Sequence, residues 1–496
     1  MASSFCWSCF SKLRPTPRTL FPSTSIPRAV AAAPFHSTAP AHVLPPKKSR
    51  TQDEGPRFRE ARSARVKKKK VNIKPTRESP AERKAHARRL VLSNTNALEV
   101  PGLQDLSVEN MSDARLQGQV MGIPVSLLDN LRALQAFKTS QGWSLFRRPG
   151  TLMRKETLEL TNLMAEIKGK GKIKAAAKII TGDRFAGKSV HLLQAMTMGL
   201  LDSWVVMSVS DARELVNGTT AYAPLPDSKP TQYVQKTAAA QLLERIAQAN
   251  KAVLSKLHVS RKHLQLKSIF NPKMSLQELA TMGSQHPEAA WPAFQALWSE
   301  LTATRPVESA NAFQPFQPRP PTLITIDGIS HWMQSTKYFS PEYEPIHAHD
   351  FVFIKHFLSL ASSPATSMPN GGLVLYATST SNNPTVLTFE IGLKQLSARC
   401  SGVKPTSPDF PLPDPYAKLD ARVSSFFDNA RGLGLQNLGG LSKTETKGLL
   451  EYYALSGIMR ERITENLVAE KWGLAGGGVI GELERMGKRV RVIPEG

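Results

Sequence analysis

The sequence predicts an α/β fold with a parallel sheet at its core. Three observations predict it: a strand, a glycine-rich loop and a helix follow one another over residues 175–200; a second buried strand, Thr322–Asp327, ends in an acidic residue; and strand and helix patterns alternate. The chain has 496 residues, 41% hydrophobic and 21% charged, which is typical of a globular protein of about three domains. A basic N-terminal arm, expected to be disordered, precedes this core, and a helical module follows it.

Residues 1–40 have the composition of a mitochondrial transit peptide. No acidic residue precedes Asp53. Basic residues are spaced among Ser, Thr, Ala and Pro, and include Arg14, Arg18 and Arg28. Phe35–Ala39 is similar to the end of a fungal mitochondrial presequence, so cleavage is expected near residues 28 to 40. The segment predicts a mitochondrial matrix location, although an ordinary basic tail would have the same composition. No apolar run reaches the roughly 18 to 20 residues of a membrane span, so none is predicted.

Residues 41–95 form a basic extension. The first 100 residues hold 21 Lys or Arg and 6 Asp or Glu, so they supply most of the net charge of +24. The extension, which includes the run Lys67–Lys70, has few core-forming residues and cannot offset its ordering entropy by burial. Its charge predicts a polyanionic partner, and nucleic acid bound through its phosphates is the leading candidate. A solvated linker is the alternative.

Residues 96–170 are predicted to be a helical N-terminal region. Val125–Phe137 carries apolar residues at helical spacing, and we interpret them as a stripe that faces the core. A second helix is predicted from Lys155 to Ile167. This region therefore leads into the core without a functional motif of its own.

The glycine loop after the first core strand is the most specific pattern in the chain. It follows the strand-like residues Ala175–Ile180 and fits G-x-x-x-x-G-K-[ST], the P-loop pattern. Its residues are Gly182, Asp183, Arg184, Phe185, Ala186, Gly187, Lys188 and Ser189. The glycines let backbone N–H groups converge on phosphates, and the next helix directs its positive end at the same anion. Lys188 is expected to bridge the β- and γ-phosphates and Ser189 to bind Mg²⁺. The loop therefore predicts a bound purine nucleotide with Mg²⁺.

The strand Thr322–Asp327 supplies the second metal ligand that a P-loop needs. Apolar and β-branched residues lead up to Asp327, which is expected to bind Mg²⁺ as in a Walker B strand. In hydrolysing relatives such as AAA+ enzymes a water-activating Glu normally follows this Asp, whereas Gly328 follows it in this chain. We therefore expect nucleotide binding with little or no hydrolysis, and we predict no catalytic residue.

A third buried strand, Gly372–Ala377, ends in small hydroxyl residues. AAA+-type proteins place a group that senses the γ-phosphate or a metal-bound water at this point, and Ser379 is the candidate. A plain strand-to-loop transition would have the same sequence. With a further strand at Ser203–Val209, the patterns predict an AAA+-like P-loop NTPase core over residues 171–400, with the nucleotide at the C-terminal edge of its sheet.

Residues 401–496 are predicted to form a helical, winged-helix-like module. Ser442–Glu445 is a capping box that starts a helix, and Gly457 is its expected end. Apolar residues continue at fourfold spacing with Met459, Ile463 and Leu467. Residues Arg489–Ile493 alternate as a short strand. Two or three helices followed by a small strand are typical of a winged helix.

In this order, the features from roughly Leu127 to Gly496 resemble the death-associated protein family. The P-loop is shared by many families, and the more distinctive parts are Leu323-Ile324-Thr325-Ile326-Asp327-Gly328 and Leu449-Leu450-Glu451-Tyr452-Tyr453. Members of the family are GTP-binding proteins of the small subunit of the mitochondrial ribosome. Residues 40–90 and 312–321 depart from the family pattern, so the resemblance implies nothing for them.

The resemblance implies a ribosomal role. It implies a nucleotide-binding core in the head of the small subunit that holds GTP or GDP with Mg²⁺ and supports mitochondrial translation. It also implies contacts with the small-subunit ribosomal RNA, with neighbouring small-subunit proteins, and with the large subunit through an intersubunit bridge.

Two other protein classes have sequence requirements that can be checked. An AAA+ or STAND-type ATPase that binds DNA or RNA through a winged helix would need a water-activating Glu and an arginine finger, and we can assign neither. A Ras-like GTPase would need an N-K-x-D guanine-specificity motif, and the chain contains none. The residues therefore leave guanine and adenine open, ATP remains an alternative ligand, and only the resemblance favours GTP.

Overall fold

The computed structural model describes residues 90–488, apart from residues 170, 172, 227, 267–272, 306–315, 381–384 and 431. The predicted transit peptide, residues 41–89 of the basic extension and the predicted strand Arg489–Ile493 lie outside the described residues.

The described residues alternate between strands and helices. The strands are β1 Val120–Gly122, β2 Gly150–Leu152, β3 Ala175–Gly182, β4 Val205–Val209, β5 Ala223–Pro224, β6 Tyr233–Val234, β7 Thr322–Asp327, β8 Ser335–Phe339, β9 Pro345–His347, β10 Gly372–Ala377 and β11 Leu433–Leu438. The α-helices are α1 Leu128–Ala133, α2 Lys155–Lys168, α3 Lys188–Leu201, α4 Lys236–Ala249, α5 Lys251–Leu254, α6 Leu276–Gln285, α7 Ala290–Leu301, α8 Val352–Ser359, α9 Pro364–Ser367, α10 Leu387–Cys400, α11 Ala421–Asn429, α12 Lys443–Leu455, α13 Glu465–Leu474 and α14 Ile480–Gly487. Short 3-10 turns span Ala114–Leu116, Val125–Leu127, Trp143–Leu145, Ala212–Leu215, Leu264–Leu266, Pro287–Ala289, Ile329–Trp332 and Ala348–Asp350.

Five strands form one parallel sheet in the order β11–β3–β10–β7–β4. Strands β7 and β10 are buried along their whole length, as expected for a parallel sheet covered on both faces. The predicted parallel sheet is thus confirmed. Strand β4 begins two residues later than predicted, because Ser203 adopts a left-handed φ of +61° just before it. Since all strands are parallel, their carboxyl ends meet at one edge, where the glycine loop follows β3.

Successive side chains of each strand point to opposite faces, so the sheet separates two apolar clusters. On one face, Ile324 and Tyr376 pack in a cluster with α4, α6, α7 and α8. On the other face, Leu323 and Leu375 belong to a cluster with α1, α2 and α3. A third cluster joins Phe146 to apolar residues of α12, α13 and α14. None of the described helices is long and apolar enough to cross a membrane.

The region 96–170 contains less helix than its pattern predicted. Helix α1 is only six residues long, because Gln135 adopts a left-handed φ of +54° shortly after it. Leu131 and Phe137 are nevertheless buried, so the apolar stripe faces the core as predicted. Strands β1 and β2 pair antiparallel, and three-residue strands are too short to carry a readable alternation. Helix α2 agrees with the predicted Lys155–Ile167 to within one residue.

The C-terminal segment begins with a strand of the core and continues as helices. Strand β11 lies within the predicted 401–496 module but pairs with β3 in the core sheet. Helix α12 starts at the predicted capping box, in which Ser442 and Glu445 bond each other's backbone N–H groups. Gly457, with a φ of +78°, follows its end as predicted. Beyond Gly457 the next helix, α13, begins after the cap residue Thr464, so Leu467 lies within it while Met459 and Ile463 precede it.

Candidate functional site

A cavity of about 640 Å³ lies at the carboxyl edge of the parallel sheet. Most of the predicted site residues line it, namely Arg184, Phe185, Ala186, Gly187, Lys188, Ser189, Asp327 and Ser379. The remaining two, Gly182 and Asp183, bind the side chain of Lys188 through their carbonyl oxygens. The structure therefore brings together all the residues that the sequence patterns singled out.

The two glycines of the loop are required by conformation and by space. Gly182 has a φ of +144°, and a Cβ at this position would lie 2.4 Å from the carbonyl oxygen of Leu438. Gly187 has a φ of +95° and immediately precedes α3. Such φ values are accessible to glycine and strained for other residues. The first residues of α3 line the cavity, so the positive end of this helix lies at the cavity wall.

The ammonium group of Lys188 lies within the glycine loop. Its Nζ donates to the carbonyl oxygens of Gly182 at 2.7 Å and Asp183 at 2.8 Å. Burial lowers the pKa of Lys188, while the nearby carboxylates of Asp327 and Asp183 act in the opposite direction. The loop thus combines a lysine with backbone N–H groups, which is the combination that an anion-binding site needs.

Ser189 and Asp327 are hydrogen-bonded to each other at the cavity wall. The Ser189 hydroxyl donates to Asp327 Oδ2 at 2.6 Å, and the Asp327 side chain is 11% exposed. A hydroxyl and a carboxylate are oxygen ligands of the kind that Mg²⁺ prefers, and Mg²⁺ commonly completes its shell with water and substrate phosphates. Among residues 90–488 as described, no group of three or more His, Cys, Asp or Glu side chains could hold a metal ion. The pair therefore fits a Mg²⁺ that is also bound by phosphate oxygens.

Lys138 is a site residue that the sequence patterns missed. Its Nζ donates to Asp327 Oδ2 and to Ser189 Oγ at 3.3 Å. It lies in the segment after α1, 51 residues before Ser189. A single lysine in a basic chain carries no sequence signal of its own, because only the folded chain places it at this carboxylate.

The carboxylates that line the cavity are all engaged with cations. Asp327 binds Lys138, Asp211 lies 3.4 Å from the guanidinium of Arg213, and Glu484 pairs with Lys488. Gly328, which follows Asp327, has a φ of +90° and donates its N–H to the carbonyl oxygen of Ala377 at 2.8 Å. Within the described part of the chain, the cavity therefore contains no carboxylate without a cationic partner.

Ser379 and its neighbour Thr378 end β10 in different ways. The Thr378 hydroxyl donates to the carbonyl oxygen of Ile180 at 3.2 Å, so it serves the backbone of the sheet. Ser379 donates its N–H to Ser330 Oγ at 3.2 Å, and it lines the cavity. Ser379 therefore lies at the cavity, as do Thr378 and Thr380, and its role in sensing the γ-phosphate stays a prediction.

The C-terminal helix α14 packs against the glycine loop and also lines the cavity. The N–H of Gly481 donates to the Phe185 carbonyl oxygen at 3.1 Å, and the Arg485 guanidinium lies 4.3 Å from the centre of the Phe185 ring. Buried Arg154 donates to the carbonyl oxygens of Ala186 at 2.9 Å and Gly439 at 2.8 Å. These contacts hold the glycine loop in place at the cavity.

The far end of the cavity is apolar and aromatic. Its walls come from β1, β2, α12 and the segment between α1 and β2. Phe146 stacks on Tyr452 at 5.1 Å and on Tyr453 at 5.9 Å between ring centres. The cavity thus joins a cationic end to an apolar end, which matches a ligand with a phosphate tail and a flat hydrophobic head. The sequence did not predict this end, because its parts lie about 300 residues apart.

Comparison with known proteins identifies the family of this chain. The model of the mitochondrial ribosomal death-associated protein 3 family matches residues 151–486, which include the glycine loop, Asp327 and most of α14. Small ribosomal subunit protein mS29 of Neurospora crassa is 37% identical over 486 residues, 98% of this chain and 98% of that protein. The predicted family resemblance is thereby confirmed, and with it the predicted mitochondrial matrix location. The chain belongs to the mitochondrial ribosomal death-associated protein 3 family.

Proposed function

We propose that this chain is a structural component of the small subunit of the mitochondrial ribosome and supports mitochondrial translation. The full-length similarity to small ribosomal subunit protein mS29 supports the proposal, because 98% of each chain is covered. In this role the chain contacts small-subunit ribosomal RNA, neighbouring proteins of the subunit head, and the large subunit across an intersubunit bridge. The net charge of +24 is suited to an RNA surface.

We further propose that the cavity holds a purine nucleotide with Mg²⁺, and that the nucleotide is GTP or GDP, with ATP as the alternative. The observation that carries this proposal is the convergence of Lys188, Ser189 and Asp327 at one end of a 640 Å³ cavity. The glycine loop then acts as a P-loop, and β10 lies between the P-loop strand β3 and the Asp327 strand β7. An AAA+-like core explains this arrangement, and a C-terminal winged-helix-like module completes it.

In this complex the chain's own groups bind and orient the phosphates. Lys188 and the N–H groups at the start of α3 face the phosphate oxygens, and Ser189 and Asp327 hold Mg²⁺, which supplies charge neutralisation when bound. Hydrolysis is slow or absent, because Gly328 replaces the expected Glu and the other cavity carboxylates, Asp211 and Glu484, are paired with cations. A nucleotide at 100 times its dissociation constant adds about 2.7 kcal/mol to stability, which suffices as a structural role.

The test is to purify the chain, identify the nucleotide that it carries by mass spectrometry, and measure dissociation constants for GTP, GDP and ATP. Lys188→Ala should abolish binding, whereas Lys355→Ala, at an exposed position of α8, should leave it unchanged. The same variants are then tested for co-sedimentation with mitochondrial small subunits, which Lys188→Ala should reduce. Absence of any bound nucleotide would refute the nucleotide proposal, and absence of the chain from small subunits would refute the ribosomal one. Multiple-turnover hydrolysis at about 1 per second, abolished in Lys188→Ala, would instead favour a motor-like ATPase.

A further inference from the structure

We propose that Lys138 acts as a built-in cation at the Ser189–Asp327 pair, which lets the chain retain its nucleotide when free Mg²⁺ is scarce. The inference rests on the proposed nucleotide site and adds to it a residue outside the glycine loop and outside the Asp327 strand. The groups on which Lys138 acts are the nucleotide phosphates and the Mg²⁺ that accompanies them.

Lys138 binds the two oxygens that are expected to hold Mg²⁺. Its Nζ donates to Asp327 Oδ2 and to Ser189 Oγ, the two oxygens that the P-loop pattern assigns to Mg²⁺. An ammonium group has three N–H donors and one positive charge on a small centre. Two of these donors are used by the two oxygens, so the third can serve a phosphate oxygen beside them. Lys138 thereby links the same groups that a divalent ion would link.

Hydrogen bonds and ring packing fix the backbone around Lys138. The N–H of Lys138 donates to Gln141 Oε1 at 2.8 Å, and the indole N–H of Trp143 donates to the same oxygen at 2.6 Å. The ring of Trp143 packs edge-on against Phe137 with centres 5.3 Å apart, and both rings are buried. Upstream, Ser210 Oγ donates to Gln135 Oε1 at 2.8 Å. The segment that carries Lys138 is thus held at the cavity, so the position of its positive charge is preorganised.

Lys138 and Mg²⁺ compete for the same ligands. Mg²⁺ and the Lys138 ammonium need the same two oxygens, so binding of one displaces the other. With abundant Mg²⁺ the metal complex forms, and without it Lys138 keeps Asp327 neutralised while the phosphates bind. Removal of Lys138 should therefore make nucleotide binding more dependent on Mg²⁺, while removal of Lys188 should weaken binding under both conditions.

The test measures the dissociation constant of GDP for the full chain by calorimetry, once with MgCl₂ and once with EDTA. The quantity of interest is the ratio of the EDTA value to the MgCl₂ value. Lys138→Met should raise this ratio about tenfold or more relative to wild type, the factor expected when one hydrogen bond between charged groups is removed. Lys355→Met, an exposed control on α8, should keep the wild-type ratio.

Two further variants make the result specific. Lys138→Gln keeps most of the side-chain volume without the charge and should behave as Lys138→Met does, which guards against a packing defect. In an Asp327→Asn background, Lys138→Met should change the ratio by a smaller factor, because the carboxylate that both cations share has been removed. An unchanged ratio in both Lys138 variants, with wild-type GDP affinity, would overturn this inference and leave the nucleotide site intact. Absence of binding of GDP, GTP and ATP by the wild-type chain would instead overturn the nucleotide site itself.

Discussion

At the scale of single residues, both its conformation and its surroundings restrict Gly182 to glycine. Its φ of +144° opposes any side chain, and so does the Leu438 carbonyl oxygen, which would lie 2.4 Å from the Cβ of an alanine at this position. We expect Gly182→Ala to lower the free energy of unfolding by at least about 2 kcal/mol, since the backbones of β3 and β11 would have to move apart. Urea denaturation measures this change.

The matched control is Gly439→Ala. Gly439 follows β11 as Gly182 ends β3, but a Cβ at position 439 would meet no atom within 4 Å. A loss of stability in Gly439→Ala as large as in Gly182→Ala would show that the close approach to Leu438 is not the cause.

His356 predicts a pH dependence of stability. Its ring packs edge-on against Trp298 at 5.0 Å and Phe294 at 5.2 Å, its Nε2 has no hydrogen-bond partner, and burial lowers its pKa to about 4. Well above pH 6.5 the ring is neutral in both the folded and the unfolded state, so its protonation does not affect the free energy of unfolding. As the pH falls from 6.5 towards 4, only the unfolded state takes up the proton, so the folded state loses stability.

The variant His356→Phe should remove this part of the acid sensitivity. Between pH 7 and pH 5, the free energy of unfolding of the wild type should fall by up to about 2 kcal/mol more than that of the variant. Urea midpoints at the two pH values measure the difference, and His286→Phe, at an exposed position, is the control that should keep the wild-type slope. Equal slopes for wild type and His356→Phe would contradict the assignment.

At the scale of elements, Glu445 joins the N-termini of two helices. Its Oε2 accepts from the N–H of Ser442 at 2.9 Å in the capping box of α12. Its Oε1 accepts from the N–H of Lys155 at 2.9 Å, at the start of α2, and from Gln117 Nε2 at 3.3 Å. Burial opposes ionisation of this carboxyl, but these hydrogen bonds outweigh it and hold the pKa of Glu445 below its usual range.

We expect Glu445→Gln to lower the free energy of unfolding by about 1 to 3 kcal/mol, because the amide turns a donor towards backbone N–H groups. Because folding lowers the pKa of Glu445, its stabilising effect is complete at pH values above the ordinary pKa of a glutamate. This stabilisation disappears as the pH falls through the lowered pKa of the folded state. The difference from wild type should therefore shrink in acid. Glu465→Gln, whose side chain is 77% exposed, should change stability by less than about 1 kcal/mol. A larger effect of Glu465→Gln would contradict the burial argument.

Elements with a local pattern could be predicted, and elements without one could not. Buried strand β7, the capping box of α12 and the glycine loop are each recognisable within a few residues. Strand β11 reads Leu-Gly-Leu-Gln-Asn-Leu and is recognisable only beside β3, which lies about 256 residues earlier. Lys138 and the aromatic end of the cavity are missed for the same reason, since distant contacts leave no periodicity in the sequence.

At the scale of the whole molecule, the basic extension predicts salt-dependent RNA binding. Replacing Lys67–Lys70 by Gln should weaken binding to small-subunit RNA uniformly across sequences. The logarithmic salt slope should fall by about 0.7 to 0.9 for each phosphate that these lysines no longer neutralise. Filter binding at several salt concentrations measures this slope, with Lys355→Gln as the control on the folded core. A changed sequence preference with an unchanged slope would rule out phosphate binding by this run.

The cavity is built from residues that lie far apart in the sequence, which affects the order in which the chain folds. Its walls draw on residues from Val120 to Glu484, and β3 completes its pairing only with β11. Contacts between such distant parts of a chain form late, because a long loop must close before they contribute. A chain that enters the matrix amino end first cannot close this site until almost all of it has arrived. Retention of a nucleotide would then mark a molecule as fully imported and correctly folded, before it joins a larger assembly.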